Sequence, residues 1–338
     1  MKADKPLPEA LTLDNILVNF STDALAREFL EKWLWPEGPV CPRCHSNDPV
    51  RVYRMTGKSA RPGLCNCKQC RRQFTVTVGT IFEDTHIPLR KWLVAWFLMC
   101  SAKKGISSLQ LQRTLDLGSY RTALFMTHRI RHAMADSAGN EPLTGTVEVD
   151  ETFVGGKPRH ANNGKGETKY ARKGAVVTMV ERGGKKRSMV MPRVNGTNIR
   201  QAIAKNVCQK ADIMTDESPL YRPNMHVPGD QHHSVNHSAK EYFRKEGKRD
   251  VHTNTVESSF SLLKRGVIGS FHHISLHHLH RYAAEFDFRW NHRKISDGER
   301  TVAGLRQTRG KRLTYRMPAS AEQGVDGQVS EGQAPQAE

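Results

Sequence analysis

No stretch of this chain approaches the roughly 18 uninterrupted apolar residues of a membrane span. The most apolar run, KWLVAWFLMC at residues 91–100, is short and bounded by lysines. The N-terminal MKADKPLPEALTLDN lacks the basic-then-apolar order of a secretory signal, so a soluble protein in a cytosolic setting is expected. No internal repeat is evident that would hint at assembly symmetry. Cysteine is scarce outside one segment: five of the seven lie between residues 41 and 70, with Cys100 and Cys208 isolated in apolar or helical patterns. Acidic charge is outnumbered, 34 Asp and Glu against 52 Lys and Arg.

The resulting net charge of +18 is spread through the body of the chain. Residues 318–338 carry four acids and no Lys or Arg, so removing that −4 leaves +22 on residues 1–317. A charge of that size favours polyanions through counterion release, and nucleic acid is the natural partner. The tail from residue 317 is rich in Ala, Gln, Gly, Ser and Glu, has almost nothing to bury, and reads as disordered. At 338 residues the chain exceeds one ordinary domain, and two or three folded units are expected.

The cysteine cluster is two Cys-x2-Cys knuckles, Cys41/Cys44 and Cys67/Cys70, separated by 22 residues that read as short strands and turns. Four thiolates at about 2.3 Å around a tetrahedral Zn2+ would stabilise a unit too small for a core of its own, whereas disulfides do not persist in reducing cytosol. Cys65 breaks the two-residue gap and is read as a bystander, and His45 as an exposed loop residue. Upstream, residues 21–34 predict a helix capped by Ser21 or Thr22 with Leu25, Phe29, Leu30 and Trp33 as its apolar stripe. The ribbon with this helix occupies 15–80. Residues 85–140 follow as a helical segment, whose last two helices meet at Gly118 in the manner of a helix-turn-helix. The second would offer Arg121, His128, Arg129, Arg131 and His132 to DNA.

From residue 145 the pattern changes to alternating segments, TVEVDETFV, GAVVTMVE and KRSMVMPRV, spaced like consecutive antiparallel strands. A helix, TNIRQAIAKNV, capped by Thr197 or Asn198, and a fourth strand ending at Asp216 follow, and the fold class is α+β. Alternation along the first strand puts Glu148, Asp150 and Thr152 on one face and Glu151 on the other, so Asp150 or Glu151 can face a site, not both. In HTNTVESSFSLLKRG, Asn254 can cap a helix whose Val256, Phe260, Leu263 and Val267 form a buried face. Glu257 and Lys264, nearly two turns apart, share an edge beside it, unless Glu257 folds back on the cap as a capping box. The last pattern, SLHHLHRYAAEFDFRWNHR, reads as a covering helix with Leu276, Leu279, Ala283, Phe286 and Trp290 inward and His277, His278, Arg281 and Arg293 outward.

The segments VEVDETFVGGK, TDESPLY, VNHSAKEY, HTNTVESSFSLLKRG and RYAAEFDFRWNHR, in that order, closely resemble the ISXO2-like branch of the IS1595 insertion-sequence transposases. CPRC, CKQC and QFTVTVGTIF match the zinc ribbon of the same family, and the resemblance runs from about residue 15 to 305. Ser258-Ser259-Phe260 and Trp290 depart from the family pattern. The resemblance implies an RNase H-like mixed-sheet catalytic core over 145–300 with a DDE triad at Asp150, Asp216 and Glu257, which selects Asp150 over Glu151. It also implies two Mg2+ (or Mn2+) ions on those carboxylates and Zn2+ on Cys41, Cys44, Cys67 and Cys70. Lys264 and Arg265, with Arg121 and Arg129, are the expected DNA contacts, and His237 is read as structural support. The implied partner is double-stranded DNA, bound at the element's ends and at the target by a homo-oligomer in a bacterial cytoplasm, at the nucleoid. A zinc-ribbon regulator and a decayed transposase without strand transfer are the alternatives.

Overall fold

The computed structural model describes residues 11–57, 60–135, 139–155, 173–221 and 227–314, and the tail 317–338 lies outside them. Helices α1 (Leu13–Asn19) and α2 (Asp23–Leu34) start where Thr12 and Thr22 accept the N–H of Asn15 and Leu25. The buried face of α2 is rotated from the expected stripe: Ala26, Leu30, Glu31 and Leu34 are inside, Phe29 and Trp33 only partly, and Leu25 is exposed. Glu31 turns inward because Arg54 meets its carboxylate at 2.6 Å, a partner that helical periodicity cannot reveal.

Strands β1 (Val52–Arg54), β2 (Cys65–Cys67) and β3 (Arg72–Phe74) form a small antiparallel sheet in that order. After it come α3 (Leu89–Ser101), α4 (Ser108–Thr114) and α5 (Tyr120–Met134), the last two capped by Ser107 and Ser119. One continuous core joins α1 and α2, the small sheet and α3–α5, and Phe288, Val302 and Leu305 from the far end of the chain enter it.

The central sheet has five strands: β4 (Thr146–Val154), β5 (Gly174–Glu181), β6 (Lys186–Met191), β7 (Asp212–Asp216) and β8 (His232–Val235). Their order is β6-β5-β4-β7-β8. The first three pair antiparallel, while β7 runs parallel to β4 and β8 parallel to β7. This is the mixed sheet expected of an RNase H-like core. Helix α6 (Gly196–Asn206) covers the face built by Val147, Val149, Val177 and Met179; its cap is Asn195, just upstream of the expected Thr197 or Asn198. A hairpin, β9 (Arg244–Glu246) and β10 (Arg249–Val251), leads from the sheet edge into α7 (Asn254–Gly266). Helix α7 lies over the opposite face, with Val256 and Phe260 against Val180 and with Leu263 in a shared cluster with Val154 and Val176.

The start of α7 is held by a residue over 100 positions away. Glu148 of β4, fully buried, accepts the backbone N–H of Thr255 at 2.7 Å and of Val256 at 2.9 Å, and the Thr255 hydroxyl at 2.8 Å. A carboxylate there satisfies orphan donors and meets the positive end of the helix dipole. Arg182 at 2.7 Å and His252 at 3.2 Å complete its surroundings.

The last long helix, α8 (Leu279–Asn291), is central rather than covering: it packs between α5 and β6, and Glu285, Asp287 and Arg289 are buried with its apolar residues. His278, Arg281 and Trp290 are each partly covered. The helix can bury charge because each charge is matched. Arg131 of α5 donates to Glu285 at 2.6 Å, and Arg289 donates to the same carboxylate. Burial raises the Glu285 carboxyl, but the two guanidinium groups outweigh it and hold the pKa below the usual range. Lys186 of β6 pairs with Asp287 at 3.3 Å. A final helix, α9 (Asp297–Arg306), opens on a Ser296–Glu299 capping box and returns the chain to the N-terminal core. Replacing Glu285 by Ala strands two buried guanidinium groups and is expected to cost about 3–5 kcal/mol of unfolding free energy in denaturant titration.

Candidate active site and metal centre

Alternation on β4 and the parallel pairing with β7 set the positions of the acidic residues. Glu148 pairs with Met214, so Asp150 and Asp216, two residues further along each strand, come level with one another. Asp150 shares the α7 face with Glu148, and Glu151 takes the other face, where it accepts a hydrogen bond from the buried Tyr221 hydroxyl. Glu257 is in the first turn of α7 with its side chain half exposed. The cap of α7 is Thr253, not Asn254. The Thr253 hydroxyl donates to Glu257 at 2.9 Å, and Glu148 serves the nearby backbone donors, so Glu257 does not close a capping box.

Asp150, Glu151, Thr152, His237, Tyr242, Glu257 and Lys264 line one open cavity of about 360 Å3, so both Asp150 and Glu151 reach it, against the expectation from strand alternation that only one could. Asp216 adjoins that lining rather than belonging to it; its Oδ1 accepts the Ser218 N–H at 3.0 Å. Burial pushes the Asp150 carboxyl up to about 7; the Glu151 N–H opposes this, and the charges of Glu151, Asp216 and Glu257 reinforce it. Burial likewise raises Asp216, with Ser218 opposing. Acids raised by burial and by one another's charge are the electrostatic condition that a bound cation relieves, and their donors are hard oxygens.

His237, assigned only to support by its sequence position, is on the cavity wall with Nε2 3.7 Å from Glu257. Glu217 fixes it by accepting the N–H of His237 at 2.9 Å and the N–H and hydroxyl of Ser238 at 3.0 and 2.6 Å. The signal was available in the TDES segment, where the acid after Asp216 points to the opposite side of the strand end.

The expected DNA contacts separate into two groups. Lys264, Arg265 and Arg121 are exposed, and Lys264 reaches the cavity. Arg129 is buried: its guanidinium donates to the Glu83 carbonyl at 2.5 Å and lies over the Trp92 and Phe125 rings. His128 and Arg131 are buried too, and His132 is partly covered. Only the first turn of α5, at Tyr120 and Arg121, is exposed, because α4, α3 and α8 close around the rest. A basic helix reads as a solvent face in sequence unless the buried acceptors awaiting it elsewhere in the chain are known.

The four knuckle cysteines converge. Among the described residues they are the set whose potential metal-binding atoms all lie within 4.8 Å of one another; the acids around Asp150 do not close to that spacing. Cys41 and Cys70 have sulfurs 3.5 Å apart, and Cys44 and Cys67 3.6 Å. A tetrahedron with Zn–S bonds of about 2.3 Å has edges of about 3.8 Å, so the cage fits Zn2+. The Cys70 N–H holds the Cys67 thiol below its usual pKa, whereas burial and the neighbouring thiols push Cys70 up to about 12 and Cys44 is raised as well, so the cage's fit to Zn2+ rests on its geometry. Cys65 is outside the cage, with its thiol buried and raised to about 11.

Residues 142–291 match the ISXO2-like transposase domain of IS1595 elements, and residues 21–73 match the transposase zinc-ribbon domain. Together the two matches take in more than half of the chain, which belongs to the IS1595 transposase family and carries a DDE transposase domain behind a zinc ribbon. It is similar to an uncharacterized protein in transposable element ISH50 of Halobacterium salinarum, 28% identical over 260 residues, covering 73% of this chain and 83% of that protein. No solved structure matches. Among the described residues, no helix is long and apolar enough to cross a membrane.

A carboxyl with its folded pKa raised from 3.8 to about 7 binds a proton that the unfolded chain has released, so its contribution to stability is lost as pH rises through that window. Asp150→Asn removes this dependence. In thermal unfolding of the zinc-loaded protein without added Mg2+, the variant is expected to match the native chain near pH 4 and exceed it near pH 8; a difference independent of pH would refute the assignment.

Proposed function

We propose that this protein binds the terminal inverted repeats of its insertion sequence, cuts the 3′ ends and joins them to target DNA. The observation that supports this most directly is the meeting of β4, the end of β7 and the start of α7, which brings Asp150 and Glu257 onto one open cavity with Asp216 beside it, in a chain of net charge +18. Asp150 and Asp216 stand on rigid strands, and Glu257 stands on a helix whose start is pinned to the same strand by Glu148. Such support holds carboxylates in register without a substrate.

Two Mg2+ or Mn2+ ions on these carboxylates would supply a deprotonated water or 3′-hydroxyl for in-line attack and stabilise the leaving 3′-oxygen, so that one site can cut and then join. Thr253 and His237 orient Glu257, through the 2.9 Å hydroxyl contact and the 3.7 Å approach of Nε2. Lys264, exposed on the cavity rim, grips the phosphate next to the reacting one as a point charge. Arg265 and Arg121 extend backbone contact along the duplex, and the zinc ribbon with the exposed first turn of α5 takes the repeat sequence. Copies of the chain assemble on the two ends before joining.

Labelled DNA carrying the element's own ends tests the reading. With Mg2+, the native chain is expected to release 3′-ended cuts and strand-transfer products. Asp150→Asn, Asp216→Asn and Glu257→Gln are each expected to reduce both to background while binding stays within a few-fold. Binding with no cleavage by the native chain would instead mark a regulator or a decayed transposase.

A further inference from the structure

Tyr242 and Phe243 are consecutive aromatic residues with 58% and 53% of their surface exposed, in a segment held firmly on both sides. Before them, Glu241 accepts the Asn236 N–H at 3.0 Å and the Arg244 guanidinium at 2.7 Å. After them, Arg244 reaches Glu246 at 2.6 Å and the Ser234 carbonyl at 3.0 Å. A lone exposed aromatic needs no explanation, but two neighbours locked in place without burial are not part of a core. Tyr242 lines the same cavity as Asp150, Glu257 and Lys264, and its ring centroid is 5.3 Å from that of His237, which approaches Glu257. Phe243 stacks on His252 at 6.0 Å and 25°.

We infer that Tyr242 is a positioning residue that stacks on a nucleobase unpaired from the duplex beside the scissile phosphate. The inference rests on the transposase reading and names what the cavity wall does to the DNA. A phosphate drawn toward carboxylates in a recess must leave the regular duplex path, and the adjacent base then loses its stacking neighbours. An aromatic face replaces that stack without regard to base identity, and Lys264, which lines the same cavity, holds the backbone. No bond is made or broken by Tyr242.

Duplex element ends with 2-aminopurine next to the cleavage position test this, with Ca2+ in place of Mg2+ so that the readout does not require cutting. The native chain is expected to change the fluorescence as the base leaves the stack and meets an aromatic face, and Tyr242→Ala to lose the change while still binding. In Mg2+, Tyr242→Ala is expected to cut paired ends about 5- to 150-fold more slowly, the range that loss of one stack corresponds to. Ends carrying a mismatch at that position should restore the rate. Tyr242→Phe should behave as native, and Tyr242→Leu, which keeps apolar bulk without a π face, should behave as Ala. Native-like cutting by Tyr242→Ala, a defect that mismatched ends do not rescue, or a Leu variant that behaves as native would each overturn the inference. A fluorescence change lost in Tyr242→Ala from a native chain that never cuts would leave the stacking role standing and contradict the transposase reading alone.

Discussion

The buried carboxylate of Glu148 is the constraint on which the rest of the catalytic unit depends. It ties β4 to the first turn of α7 through two backbone amides and a hydroxyl, and Arg182 matches its charge, with the His252 ring beside it. The strand that carries Asp150 and the helix that carries Glu257 are thereby joined two residues from the first acid and one to two residues from the second. Alternation does the remainder: a residue two places past an inward cap on a strand must face the same way. A single buried anion thus fixes both the angle of the helix and the side of the sheet on which the acids collect.

The same economy of buried charge appears at α8. The Arg131–Glu285–Arg289 cluster joins the helical segment after the ribbon to the sheet domain, and Lys186–Asp287 adds a second link on the other side of the helix. Charged groups taken out of water this completely stabilise only when every member is present, so such clusters specify one arrangement of the units more than they add net stability. The ribbon, in turn, shares its apolar core with α1–α3 and with the C-terminal α9. Its four cysteines do not stand apart from the fold, because Cys41 and Cys67 are part of that core and Cys44 and Cys70 pack against it.

Much of this was legible in the sequence where period and spacing are local. The three antiparallel strands, the strand ending at Asp216, the buried face of α7 and the cysteine cage follow from alternation, a 3.6-residue repeat and a two-residue gap. What was not legible depends on partners distant in sequence. Arg129 and Arg131 look like a DNA-facing row until Glu83 and Glu285 are seen to receive them. The α8 pattern looks amphipathic until its charges are found paired inside. Glu148 looks like one more alternating polar residue, and nothing local shows that it caps a helix more than 100 residues on. His237 and Tyr242 reach the cavity only because the sheet edge and the hairpin fold back toward α7.

A divalent-cation site formed by Asp150, Asp216 and Glu257, separate from the zinc cage, should take up Mn2+ titrated into the zinc-loaded protein, with bound ion followed by electron paramagnetic resonance. Binding by the native chain is expected to be strongly weakened in Asp150→Asn, Asp216→Asn and Glu257→Gln with the zinc content unchanged. Equal Mn2+ binding by all four proteins would contradict it.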